Sequence, residues 1–163
     1  MTELLQSNHD RDSFDCGNEL LNQYLKTQAG QDIRKKISVC YVLCPSENRI
    51  QGYYSLSQNS IPLEDFPPEI QKKFPPSYQS IPTTLLGRLA IHQQDQGKGL
   101  GKIILIDALK RCWETAQKIG SFAVVVDPID QAAVQFYQKY DFIALADSKK
   151  MLISMKTLDV LFR

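Results

Sequence analysis

Apolar residues recur at helical spacing at Leu20, Leu21, Tyr24 and Leu25, which predicts a first helix starting near Asp15 to Asn18. The helical character returns through Ala29 to Arg34, as a continuation or a restart. Ile37 to Cys44 is rich in β-branched and aromatic residues and predicts a strand. Pro45 to Asn48 is a turn, and Ile50 to Ser57 predicts the antiparallel partner.

Between Ile61 and Pro82 the pattern breaks. Pro62, Pro67, Pro68, Pro75, Pro76 and Pro82 argue against a regular central strand or a long helix there. The stretch is too long for a simple connection, so it predicts a functional loop or a wrapped surface segment, with one short helix within Glu64 to Lys73. Thr84 to His92 is apolar apart from Arg88 and predicts a central strand, followed by a polar turn from Gln93 to Lys98.

Leu100 to Ile119 carries the strongest helical pattern, with Leu105, Leu109, Cys112, Trp113 and Ala116 as its buried stripe and Gly120 as a left-handed cap. Phe122 to Val126 predicts a short buried strand, Gln131 to Lys139 a helix and Met151 to Met155 a last strand. The alternation predicts one α/β domain over residues 1–163, with a central mixed, mostly antiparallel sheet and helices on both faces.

Composition adds exclusions. With 43% hydrophobic and 23% charged residues, the chain is an ordinary globular one. No run approaches the roughly 18 apolar residues of a membrane helix, and Met1 to Asp12 lacks the apolar core of a signal peptide, so the expected location is cytoplasmic, with no membrane partner. A net charge of +1 argues against a uniformly basic nucleic-acid binder but leaves local patches open. Arg34, Lys35 and Lys36 form the densest basic run. Cys16, Cys40, Cys44 and Cys112 form no CxxC pair and lie far in sequence from His9 and His92. Free thiols and no metal are the expectation.

The informative stretch is Gln96-Gly97-Lys98-Gly99-Leu100-Gly101, between a strand and a helix. Glycines let the backbone approach a ligand, and the first amides of a helix point outward without intrahelical partners. The helix dipole adds positive potential, and Lys98 and Lys102 add charge, so the turn suits a phosphate or pyrophosphate. Ile103 after Gly101-Lys102 excludes a Walker A loop. The GxGxG spacing, with Asp127 too far along, fits a dinucleotide fold poorly.

Gln96-x-x-Gly99-x-Gly101 after an apolar strand resembles the acyl-CoA signature of the GNAT superfamily. Asp130-x-x-Ala133-x-x-Phe136-Tyr137-x-x-x-Asp141-Phe142 resembles that family's later helix, with Asp141 in place of the usual glycine. Asp is among the few residues that tolerate a left-handed backbone, so the turn can survive. A longer resemblance runs through Phe14-Asp15-Cys16-Gly17, Gly52-Tyr53-Tyr54-Ser55-Leu56, Ile81-Pro82 and Leu86-Gly87-Arg88-Leu89-Ala90-Ile91. It is to the acetyltransferase toxins of bacterial toxin–antitoxin pairs.

The resemblance implies transfer of an acetyl group from acetyl-CoA to the α-amine of aminoacyl-tRNA, a ribbon-helix-helix antitoxin as partner and a homodimer. It also implies that Leu89, Ala90 and Ile91 flank the pantetheine arm and that Gln96, Gly97, Lys98, Gly99, Leu100, Gly101 and Lys102 hold the pyrophosphate. Asp130, Ala133 and Phe136 join the cofactor site, and Tyr137 takes the place of the general acid, a phenol that is neutral at pH 7. Arg34, Lys35, Lys36 and Arg88 are candidates for substrate or RNA contact.

No general base stands out; Glu64, Asp65 and Glu69 are candidates. A lysine amine near pKa ~10.4 would need a base, whereas an α-amine near ~7.7 is already partly neutral. Two other readings stay open: an acetyltransferase of a small amine or a protein, and a non-catalytic CoA-binding module.

Overall fold

The computed structural model describes residues 1–146 and 148–163. Seven strands hydrogen-bond in the order β1-β2-β3-β4-β5-β7-β6, where β1 is Glu3–Leu4, β2 Val39–Leu43, β3 Gly52–Pro62, β4 Ser80–Ile91, β5 Ala123–Val126, β6 Ile143–Ala144 and β7 Met151–Ser154. The helices are α1 (Glu19–Gln23), α2 (Ala29–Arg34), α3 (Pro68–Gln71), α4 (Leu100–Ala116), α5 (Gln131–Gln138) and α6 (Met155–Phe162). This is the expected α/β architecture with a mostly antiparallel sheet: β1/β2, β2/β3, β5/β7 and β6/β7 all pair antiparallel. The chain divides into two compact units, Met1–Ser57 with Leu86–Leu109 and Gln58–Leu85 with Lys110–Arg163.

In the first unit the Asn18 side chain caps α1 by accepting the amide of Leu21. The helix neither stops nor simply continues. Tyr24–Gln28 is a π-helical turn, closed by the Ala29 amide on the Tyr24 carbonyl, before α2 resumes. Tyr24, Leu25 and Ala29 are buried, while Leu20, expected in the stripe, lies at the edge of that face and is 82% exposed. These residues pack with Phe14, Cys40, Val42, Ile50, Tyr53 and Ala90 as one core. Burial pushes the Cys40 thiol up to about 12, and Cys40 serves as a small apolar residue. Gly52 is required by a close approach: a Cβ there would meet the Ile91 side chain at 2.6 Å.

In the second unit Ile61, Phe66, Ile81, Ala123, Val125, Leu145 and Leu152 form a core. The proline-rich stretch is a wrapped segment, not a floppy loop. Phe66 is fully buried, and Phe74 and Phe122 stack edge-on at 4.9 Å. Its prolines mark element ends: β3 finishes at Pro62 and α3 starts at Pro68. Pro82, by contrast, lies inside β4, where it lacks an amide to donate but its carbonyl accepts from the Phe122 amide at 2.8 Å.

Three short elements escape the periodicity. β1 and β6 are two residues each, and α6 follows β7 directly, capped by the Ser154 hydroxyl on the Thr157 amide. Gly120 does not have the expected left-handed backbone. After α4 the chain turns through Lys118 and Ile119 amides, both bonded to the Thr115 carbonyl. Asp141 does take the left-handed conformation, at φ 67°.

Candidate active site

The end of β4 and the start of α4 lie in the first unit. Leu89 and Ile91 are half-buried and Ala90 is buried. The turn after them is a 3-10 segment, Gln93–Asp95, capped by His92, whose Nδ1 accepts the Gln94 amide. Gly97 and Gly99 both sit at φ +79°, a region that L side chains rarely adopt, and neither would have any atom within 4 Å of an added Cβ. The turn therefore presents bare backbone to open space ahead of a 17-residue helix. The backbone ladder of α4 begins with the Ile103 amide on the Gly99 carbonyl, so the preceding amides point out of the helix end. Outward amides with the positive end of the helix dipole behind them have the chemistry to bind an anion such as a phosphate.

Gln96 has a different job from its neighbours. Its side-chain amide donates to the Cys16 carbonyl at 3.0 Å and to the Ile91 carbonyl at 2.9 Å. It clamps the turn to the N-terminal segment, and the clamp is reciprocated by the Gln93 amide on the Asp15 carbonyl.

Asp95 is a second fixed point that the sequence pattern did not single out. It is buried, and its carboxylate accepts from Arg49 at 2.8 Å and from Lys98 at 3.3 Å. Burial pushes its carboxyl up, but the two charged donors outweigh it and hold it below the ordinary carboxylate range. Lys98 thus points its ammonium partly at Asp95, and Lys102 remains as an exposed cation beside the turn.

The two histidines are committed. The His9 ring accepts the Gln6 amide at Nδ1, which leaves Nε2–H to donate to Glu3 at 2.7 Å. His92 accepts at Nδ1 and gives Nε2–H to the Ser13 carbonyl at 3.2 Å. Neither offers a lone pair as a general base. Glu3, His9 and Cys44 are the one group among the described residues whose ligand atoms cluster, within 4.8 Å. A ligating histidine normally donates from its other nitrogen. Here that nitrogen accepts, so the cluster reads as a hydrogen-bonded pair beside a thiol.

Asp130, Ala133, Phe136 and Tyr137 gather in the second unit. Asp130 caps α5, accepting the Ala133 amide at 2.8 Å. The Tyr137 ring is buried between Phe136 and Phe142, at centroid distances of 5.2 and 5.1 Å. Its hydroxyl makes no hydrogen bond among the described residues, and burial raises its pKa above the ordinary phenol value. The left-handed Asp141 is what returns the chain so that the Phe142 amide reaches the Tyr137 carbonyl at 3.3 Å. Glu64, Asp65 and Glu69 are exposed carboxylates of the wrapped segment. Arg34, Lys35 and Lys36 are exposed at the end of α2, and Arg88 is exposed on β4, its guanidinium 3.8 Å above the Tyr24 ring.

Comparison with known proteins places the chain in a family. The acetyltransferase (GNAT) domain matches residues 77–151. The tRNA-acetylating toxin of Mycobacterium tuberculosis is 34% identical over 90% of this chain and 87% of its own. The crystal structure of a tyrosine-to-phenylalanine mutant of KacT superposes with a TM-score of 0.93 at 30% identity, over 99% of this chain and 98% of that one. AtaT complexed with acetyl-methionyl-tRNAfMet gives 0.91 at 30% identity, over 100% and 99%. A tyrosine-to-phenylalanine mutant of the AtaT toxin, bound to the C-terminus of the antitoxin AtaR and acetyl-CoA, gives 0.84 at 28% identity, over 99% and 97%. The chain belongs to the GNAT acetyltransferase family. The relatives that it matches along most of its length include a tRNA-acetylating toxin, a probable toxin TacT of Sinorhizobium fredii, and AtaT, a toxin whose structures include complexes with acetyl-methionyl-tRNAfMet and with the antitoxin AtaR.

Proposed function

We propose that this protein is a single acetyltransferase domain that moves the acetyl group of acetyl-CoA to the α-amine of an aminoacyl-tRNA, and so acts as a translation-blocking toxin in the cytoplasm. The observation that carries the donor half is the paired left-handed Gly97 and Gly99 facing open space at the start of α4. The acceptor half rests on full-length likeness to AtaT, a structure of which holds acetyl-methionyl-tRNAfMet.

Gln96 to Lys102 would hold the pyrophosphate, with Gln96 and Asp95 fixing the turn, and Leu89 to Ile91 would flank the acyl arm. The amine attacks the thioester carbonyl; the C–N bond forms, the C–S bond breaks, and the proton shed by nitrogen balances the one that sulfur gains. Tyr137 serves that exchange. Its raised pKa keeps the phenol protonated, and its unengaged hydroxyl can donate to the departing sulfur. No histidine lone pair is on offer as a base, which favours an acceptor that needs none: an α-amine near ~7.7 rather than a lysine near ~10.4. A ribbon-helix-helix antitoxin and a second copy of the chain are the proposed partners.

The deciding experiment incubates the protein with labelled acetyl-CoA and total charged tRNA, with uncharged tRNA, small amines and protein as controls. Label on charged tRNA alone is expected. Label only on a small amine or a protein would leave the family assignment and remove the tRNA reading.

A further inference from the structure

Arg88 stands alone in an otherwise apolar strand segment, one residue before Leu89. It is exposed, and it makes no ion pair with a carboxylate among the described residues. Instead its guanidinium carbon lies 3.8 Å over the Tyr24 ring. That ring is itself immobilised. It is buried, stacked on Tyr53 at 6.0 Å with 21° between planes, and its hydroxyl lies 3.3 Å from the Ser38 hydroxyl. Tyr53 is in turn tied by its hydroxyl to the Leu21 carbonyl at 2.7 Å. Tyr24 also opens the π-helical turn, and such turns concentrate at functional sites.

An arginine that only filled space would not need this support. Contact with a fixed aromatic face restrains the guanidinium, and no hydrogen bond among the described residues uses its N–H groups. That fork matches a phosphate bidentately. Pre-orientation also removes much of the side-chain ordering that binding would otherwise require.

We infer that Arg88, held on Tyr24, is a specificity-determining residue that grips the phosphodiester next to the amine-bearing terminal nucleotide of the acceptor. This rests on the aminoacyl-tRNA reading. It predicts that the enzyme distinguishes an acceptor amine by a neighbouring phosphate, not by the amine alone.

The test compares two minimal acceptors with saturating acetyl-CoA. One is an aminoacyl ester of adenosine, without phosphate; the other is the same ester on a dinucleotide with one phosphodiester. The readout is the ratio of their kcat/KM values. The wild type should favour the dinucleotide, and Arg88→Gln should collapse that ratio on the order of 10- to 100-fold, the scale of a hydrogen bond to a charged group. Arg88→Lys keeps the charge without the planar fork and should recover only part of it. Tyr24→Phe keeps the ring face and should preserve the ratio, whereas Tyr24→Leu should lower it. Melting temperatures identify any variant that fails to fold, and Arg88, being exposed, gives the decisive one. A ratio near one in the wild type, or an unchanged ratio in Arg88→Gln while charged tRNA is still acetylated, overturns the Arg88 assignment alone. Failure of the wild type to acetylate either acceptor or charged tRNA overturns this inference together with the proposed function.

Discussion

The Gln96 side chain reaches across 80 positions of sequence to donate to the Cys16 carbonyl at 3.0 Å, so the glycine turn and the N-terminal Asp15-Cys16-Gly17 turn hold each other in place. Gly17 completes the fit. At φ +89° it holds a backbone that L side chains rarely adopt, and it packs against the Gln93 side chain, whose amide nitrogen would lie 2.8 Å from an added Cβ. Gln96→Ala should therefore leave two carbonyls without their donor and loosen the turn, lowering acetyl-CoA affinity more than it lowers kcat. Calorimetric titration against single-turnover rate separates the two; an unchanged dissociation constant would make the clamp irrelevant to the donor site.

Gly97→Val and Gly99→Val place a β-branched side chain at φ +79°, at a cost of about 1–2 kcal/mol each. For a chain of this size that corresponds to roughly 2–8 °C in melting temperature. Both Cβ atoms face open space, so the fold should survive the strain. The response to donor should not. Acetyl-CoA at a hundred times its Kd stabilises by about 2.7 kcal/mol, and that increment should vanish in the variants. Thermal scans with and without acetyl-CoA check it, and equal shifts in wild type and variants would place the donor elsewhere.

These two turns also show what was legible in the chain. The glycine spacing, the apolar stripe of α4 and the Asp130-to-Phe142 block each carry their signal within a short window. Gly97, Gly99 and Asp141 indeed take the left-handed backbone that such residues tolerate. Asp95 was not legible, because its meaning depends on Arg49, 46 residues earlier, arriving at 2.8 Å. Leu20 misled because the buried face of α1 is centred on Asn22 and Leu25, and the polar Asn22, buried by its bonds to Cys16 and Asp15, gives no apolar signal. Strands as short as β1 and β6 have no periodicity to read, and they exist only because a longer neighbour supplies their hydrogen bonds.

Asp95→Asn tests the buried fixed point. Its folded pKa is lowered, so the carboxylate adds stability above the unfolded value near ~3.9, and that contribution is lost as pH falls through the folded value. The wild type should thus lose stability to the variant's level on acidification below about pH 4. Near neutrality the variant should be less stable by about 1–3 kcal/mol, since Arg49 and Lys98 lose a charged acceptor. Denaturant titrations at both pH values measure the difference. A constant gap across pH would assign the effect to packing.

Tyr137→Phe removes one hydroxyl from a ring packed by Phe136 and Phe142, so stability should barely move while turnover falls on the order of 10². The pH profile is the sharper measurement. Activity should rise with deprotonation of an α-amine near ~7.7. It should then hold past the ordinary phenol range, because burial raises the Tyr137 pKa and the acid remains protonated. A fall in wild-type kcat/KM near the ordinary phenol value of ~10 would contradict a buried acid.

Arg34, Lys35 and Lys36 are exposed at the end of α2, and Lys36 holds φ 62°, a left-handed conformation that glycine would adopt more cheaply. The position closes the helix through the Lys36 amide on the Ile33 carbonyl and the Ile37 amide on the Asp32 carbonyl, contacts that any residue's backbone can make. Lys36→Gly should therefore stabilise the helix end or leave it unchanged. If the three cations contact tRNA phosphates, the same change should weaken tRNA binding, and reversing all three charges should weaken it further. Each lost contact lowers the slope of log K against log salt by about 0.7 to 0.9. Acetyl-CoA binding should not change, because the basic run and the glycine turn occupy separate segments. Binding of tRNA measured across a salt series decides the matter: a slope identical in wild type and the charge-reversed variant would return the run to the solvated surface that a net charge of +1 suggests.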